Sequence, residues 1–207
     1  MEGITKFLLP EYCIVCGEEG ERLCRDCAAI LIFEPSGILL GETLCWVAAY
    51  YRWPIVNKLI YEYKFKGSYA LSKILARWFL RLPLSFENSI VAPVPIHHKR
   101  LKERGYHQTL LLAQEIGSIH GAQINSELLI RKKYEGPQSL VKADAKRILS
   151  ISGSFDINFR GMENIGLKTR IILLDDVITT GSTMNECAKV LREHGFENII
   201  GIALAKG

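Results

Sequence analysis

The chain has 207 residues, 48% hydrophobic and 23% charged, a balance that excludes wholesale disorder and suits one ordinary domain plus a small accessory module. The formal net charge of +4 is compatible with phosphate-bearing partners without demanding one, and the excess is scattered rather than gathered in a polybasic tail. No apolar run approaches the ~18 residues of a membrane-spanning helix. The opening MEGITKFLLPEYC, acidic at position 2 and broken by Pro10, is no secretory signal, so a cytoplasmic protein without a transmembrane segment is expected.

Four of the six cysteines fall together at the start, as Cys13-Ile-Val-Cys16 and Cys24-Arg-Asp-Cys27. Each C-x-x-C pair aims two thiolates from one tight turn, and the two pairs supply the four soft ligands of a tetrahedral zinc site. The gap between pairs is shorter than in a typical zinc ribbon, which predicts a compact knuckle pair; a redox pair or two disulfides are the competing readings. A segment this small buries too little apolar surface to fold unaided, so structural zinc at Cys13, Cys16, Cys24 and Cys27 acts first as a folding device. Residues 1–45 are assigned to this module and 46–207 to the main domain. Cys45 and Cys187 stand alone among apolar neighbours and read as small buried hydrophobes.

Beyond the module, residues 56–82 hold apolar positions at three- and four-residue spacing on either side of Gly67-Ser68, predicting two amphipathic helices. On such helices Lys64 and Lys66 are expected to face water, with a basic track as the alternative. Ser89-Ile-Val-Ala-Pro-Val-Pro95 reads as a strand feeding a loop. A basic cluster follows at 97–104, then a helix from Thr109, with that residue near its cap. Residues 131–147 read as a mobile loop and 152–157 as a strand. Last come an apolar strand from 169, a helix ending near His194 and Gly195, and a strand over 198–204. Strands alternating with helices predict an α/β fold built on a parallel sheet. His97, His98 and His107 lack the companion acids or cysteines of a metal site.

The chemistry concentrates in IILLDDVITTGST at 171–183. An apolar strand is expected to end at two acids, Asp175 and Asp176, and a short loop then opens a helix. Backbone N–H groups at that helix start form an anion pocket, and Thr179, Thr180, Ser182 and Thr183 add hydroxyl donors around Gly181. The two carboxylates can accept hydrogen bonds from vicinal hydroxyls one sugar's length away, so acids plus loop describe a ribose 5-phosphate site at the carboxyl ends of parallel strands. The spacing fits neither G-x-x-x-x-G-K-[ST] nor G-x-G-x-x-G, which leaves a P-loop or dinucleotide site without support.

This segment resembles the phosphoribosyl pyrophosphate (PRPP) motif of type I phosphoribosyltransferases, and the whole chain more closely resembles the ComF family, associated with competence and DNA uptake. The family's features appear in order as the four cysteines, Lys64-Phe-Lys-Gly67, Pro93-Val-Pro95, Arg104-Gly-Tyr-His-Gln108 and the 175–183 motif. Two departures stand out. His107 replaces the usual Asn, and the family's Q-x-x-L and R-x-x-N appear as Gln138-Ser-Leu140 and Arg147-Ile-Leu-Ser150 with altered spacing and no Asn.

The resemblance implies a type I phosphoribosyltransferase-like sheet flanked by helices behind the zinc module, with PRPP held by residues 179–183. It also implies Mg²⁺ with the ligand, Lys99, Arg100 and Arg104 near the pyrophosphate, and residues 131–147 as a hood. In function it implies handling of single-stranded DNA at the inner face of the membrane during transformation, beside a DNA-uptake helicase. An active transferase of the nucleotide-salvage type, with Asp175 and Asp176 catalytic, is the alternative reading. No acceptor-base pocket is marked in the sequence, and a PRPP-sensing regulator would need a DNA-reading helix for which nothing argues.

Overall fold

The computed structural model describes residues 10–96, 98–132 and 153–207; the expectations for His97, for nearly all of the 131–147 loop and for Arg147 to Ser150 lie outside them. Within them the chain runs α1 (Arg25–Ala29), β1 (Ser36–Leu40), β2 (Thr43–Tyr50) and α2 (Pro54–Phe65). There follow α3 (Ser72–Ala76), flanked by 3-10 turns at Tyr69–Leu71 and Arg77–Arg81, then β3 (Ser89–Pro93), α4 (His98–Arg104) and α5 (Gln108–His120). Next are β4 (Gln123–Ile124), β5 (Leu129–Arg131), β6 (Phe155–Ile157), α6 (Phe159–Met162), β7 (Arg170–Ile178), α7 (Ser182–Glu193) and β8 (Ile199–Lys206).

Six strands form one sheet in the order β1-β2-β8-β7-β3-β4, and β5 pairs with β6 in a separate ribbon. From β2 to β4 every pairing is parallel, as the alternation of strands and helices predicts. The edge departs from that expectation: β1 runs antiparallel to β2 through a two-residue turn, because only a tight hairpin can join strands so close in sequence. The architecture is the expected α/β fold, a largely parallel sheet flanked by helices and preceded by the four-cysteine segment.

Side-chain alternation along β7 builds both layers. Ile172 and Leu174 face a core that takes in α2, α3 and α5, whereas Ile171 and Leu173 face a second core against α7. Cys13, Leu23 and Cys27 belong to the same core as Val56, Leu59 and Ile60 of α2, and Lys58 of that helix donates its Nζ to Val15 O at 3.2 Å, which joins the cysteine segment to it. The 45/46 division runs inside β2, whose residues ladder onto β8. Cys45 and Cys187 are both fully buried.

Three local expectations are corrected. The second helical stretch is wound mostly as 3-10 turns around the short α3; apolar spacing of three to four residues buries Leu71, Leu75, Trp78 and Phe79 under either winding. The basic cluster is not an open loop, since residues 98–104 form α4. Thr109 does lie near the cap of α5, which is His107, whose side chain accepts from Leu110 N–H; Thr109 donates its hydroxyl to Val94 O at 2.9 Å. The strand does not end at the acid pair but runs on to Ile178, and Asp175 sits opposite Ala203 in the ladder.

Candidate functional site

A cleft of about 410 Å³ opens at the carboxyl ends of β3 and β7, the place where parallel α/β sheets bind ligands. Asp175, Asp176, Thr179 and Thr183 form one side; Val94, Pro95, Ile96, Arg100, Arg104, Gln108 and Thr109 form the other. Lys64 and Phe65 close it from the end of α2, and Arg131 of β5 contributes a further cation. Of the expected residues, Thr180, Gly181 and Ser182 of the turn do not line the cleft, and neither does Lys99, which is exposed on α4.

The acid pair is electrostatically organised. Asp176 is buried, at 7% exposure, and its Oδ1 accepts from Lys64 Nζ at 2.8 Å across 112 residues of sequence. Lys64 is therefore not the water-facing lysine expected of an amphipathic helix: it lies on the last turn of α2, where that helix passes over the end of β7. Asp175 Oδ1 accepts from Asp176 N–H at 2.8 Å. Burial, followed by the charge of Asp176, pushes the Asp175 carboxyl up to about 7, with Lys64 opposing the rise.

Residues 179–183 turn the chain from β7 into α7. Gly181 is the N-cap, at φ +78°, and no side chain caps the helix. Thr180 and Ser182 hydroxyls lie 2.8 Å apart, and Ser182 N–H points at Thr180 Oγ1 at 3.4 Å. A Cβ on Gly181 would come within 2.5 Å of Leu40, so the glycine answers to the β1 edge as well as to its backbone angle. The helix of 12 residues directs its positive end toward the cleft, next to the Thr183 hydroxyl.

On the opposite wall Arg104 Nη1, at the end of α4, donates to Gln108 Oε1 at the start of α5 at 3.1 Å, and Gly105 at φ +79° ends α4 by returning its N–H to Leu101 O. Gln108 is only 2% exposed, yet its amide Nε2 has no hydrogen-bond partner among the described residues. An orphaned buried donor in the wall of a polar cleft is suited to an acceptor oxygen of a ligand. In the sequence Gln108 shows only as part of a motif and Lys64 only as a lysine on an amphipathic helix; the helical period locates a lysine on a face without telling which element passes over that face.

His107 does the work of an asparagine cap. Its Nδ1 accepts from Leu110 N–H at 3.2 Å, the bond an N-cap amide oxygen makes, and burial pulls the ring down to about 4, which keeps it neutral.

Away from the cleft, the sulfurs of Cys13, Cys16, Cys24 and Cys27 all lie within 4.8 Å of one another, and none is in a disulfide. A tetrahedral metal–thiolate site with bonds of about 2.3 Å sets its sulfurs about 3.8 Å apart. The Cys16–Cys24 separation of 3.6 Å matches that spacing and is far too long for an S–S bond. Cys13 Sγ accepts from Cys24 N–H at 3.4 Å, the backbone support typical of a thiolate ligand. Burial and the neighbouring thiols push the Cys27 thiol up, so holding all four sulfurs as thiolates here would take a cation between them. The donor set fits a metal ion, and it is the sole cluster of three or more metal-ligating side chains among the described residues.

No family model matches the chain. It is 27% identical over 88% of its length to the DNA utilization protein YhgH of Escherichia coli K12, covering 85% of that protein. It is 24% identical to competence protein ComFC of Streptococcus pneumoniae over 70% of this chain and 60% of that one. Among solved structures, the glutamine PRPP amidotransferase of B. subtilis, complexed with ADP and GMP, superposes on 66% of the chain at 20% identity and a TM-score of 0.40, with about a quarter of that enzyme covered. Adenine phosphoribosyltransferase of Leishmania tarentolae does so at 15% identity and 0.35, with 69% of that protein covered. Competence protein F of Haemophilus influenzae is 30% identical across 94% of this chain and 84% of its own length. A similarity of that degree, running through both the cysteine segment and the sheet, shows that the chain belongs to the ComF family.

Proposed function

We propose that the cleft binds a phosphoribosyl ligand, PRPP with Mg²⁺, and that the protein uses this site while handling single-stranded DNA during uptake, as the names of its competence and DNA-utilization relatives suggest. The observation that carries the reading is the facing of two chemistries across one cleft. The acid pair and the uncapped start of α7 lie on one wall, suited to ribose hydroxyls and a 5-phosphate. Arg100 and Arg104 lie on the other, suited to a pyrophosphate that Mg²⁺ further neutralises. In this assignment Asp175 and Asp176 orient the ribose, Thr179, Thr180, Gly181, Ser182 and Thr183 hold the phosphate, and Lys99 adds charge at the rim. The cysteine site holds structural zinc.

Titration calorimetry with PRPP and Mg²⁺ tests this. The wild-type protein binds, and Asp176→Asn, which keeps the shape and removes the charge that Lys64 meets, weakens binding about tenfold or more. Unchanged affinity in the variant, or no heat with the wild type, overturns the reading. Pyrophosphate release in the presence of pooled nucleobases distinguishes a transferase from a binding protein: release that needs both the bases and Asp176 makes it a transferase.

A further inference from the structure

One face of α2 is unusual for a surface helix. Tyr61 and Phe65 lie one turn apart with ring centroids 5.2 Å from each other, and they are 44% and 55% exposed. Both rings are topped by cations: Lys66 Nζ stands 6.0 Å from the centre of Tyr61, and the Arg104 guanidinium 5.2 Å from that of Phe65. Beyond the helix Tyr69, 64% exposed, meets Tyr106 edge-on at 6.4 Å. A second recess of about 410 Å³, formed by Lys64, Phe65, Arg100, Glu103 and Arg104, adjoins this shelf, and three cations there outweigh one acid. Phe65, Lys64, Arg100 and Arg104 belong to the phosphoribosyl cleft as well, so shelf and cleft are one continuous surface.

Exposed rings interleaved with cations match the two things a single strand of nucleic acid presents, base faces and phosphates. A folded acidic protein would meet the charges and leave the rings without a purpose; a duplex hides its base faces. We propose that the Tyr61–Phe65 shelf is the track for single-stranded nucleic acid, and that a strand lying there competes with the phosphoribosyl ligand for Arg100 and Arg104. The competition rests on the reading of the cleft given above; the shelf itself rests on the rings and cations alone. Because two ligands that share charges weaken one another by the same factor, the coupling is reciprocal.

The test is fluorescence anisotropy with a labelled oligo(dT) of about 20 nucleotides at low salt, on the full chain carrying its metal. Tyr61 lies outside the cleft, and alanine is the best helix former, so Tyr61→Ala keeps the fold and PRPP binding. Its strand affinity falls about tenfold, the worth of one stacked base, whereas Tyr61→Phe keeps it. With ionic strength matched, saturating PRPP and Mg²⁺ weaken strand binding to the wild type several-fold, and oligo(dT) weakens PRPP binding by an equal factor.

The proposal is overturned if Tyr61→Ala binds the strand as the wild type does, or if bound PRPP leaves strand affinity unchanged. It also falls if light scattering shows that Tyr61→Ala only dissociates a dimer, which would make the shelf an interface between copies. Failure of the cleft reading is distinct: wild-type calorimetry then shows no PRPP heat, the competition is lost, and the strand still distinguishes Tyr61→Ala from Tyr61→Phe.

Discussion

His107 shows how one side chain can stand in for another when the geometry asks for a single atom. Its Nδ1 meets Leu110 N–H where the family's asparagine would present an amide oxygen, so the start of α5 and the adjoining wall of the cleft are kept. The substitution nevertheless carries a cost that asparagine does not, because burial holds the ring at about 4 against an ordinary 6.5. Between those values the unfolded chain binds a proton that the folded chain refuses. Stability from this residue is therefore complete above pH 6.5 and is lost as pH falls through 4. His107→Asn keeps the cap and removes the titration. Urea unfolding at a series of pH values should show the wild type losing, between pH 7 and 4, on the order of 1–3 kcal/mol more than the variant. Parallel profiles would show that the ring is not buried as described.

Elements rather than residues explain why the 179–183 turn has its form. A hydroxyl-rich turn around a glycine reads from sequence as a phosphate cradle, and nothing local discloses that β1 lies against it. Gly181 is hemmed in by Leu40, the last residue of the antiparallel edge strand. Alanine there meets two separate penalties, a left-handed backbone costing about 1–2 kcal/mol and a collision with Leu40. Gly181→Ala should lower stability by about 2–4 kcal/mol and remove PRPP binding. Leu40→Ala in the same chain relieves the collision and leaves the backbone penalty, so the double variant should be more stable than the sum of the two single losses. Additive losses by chemical denaturation would show that the turn and the β1 edge are independent.

At the scale of the whole molecule, what was legible in the sequence was what is contiguous. The cysteine pairs, the acid pair with its turn, and the alternation of strands and helices each fall within a short window, and the structure has the expected sheet around them. What escaped was pairing across distance. The hairpin at 36–50 is marked in the sequence only by Gly41-Glu42 between two apolar runs, and Lys64 meets an acid 112 residues away. Helix α2 gathers these long-range relations. At its first turns it shares a core with the cysteine segment through Val56, Leu59 and Ile60, and Lys58 Nζ donates to Val15 O at 3.2 Å. At its last turn it delivers Lys64 to Asp176 and Phe65 to the cleft. The cysteine segment thus meets the helix that lines the cleft, without itself lining the cleft. Removing the metal with a strong chelator should lower the thermal midpoint and, below that midpoint, speed amide exchange across residues 54–65 while β7 and β8 stay protected. PRPP affinity should fall in the same sample and return on adding zinc. Loss of protection confined to residues 13–27, with PRPP affinity intact, would mean that the cysteine segment folds for its own sake and that α2 is held by the sheet alone.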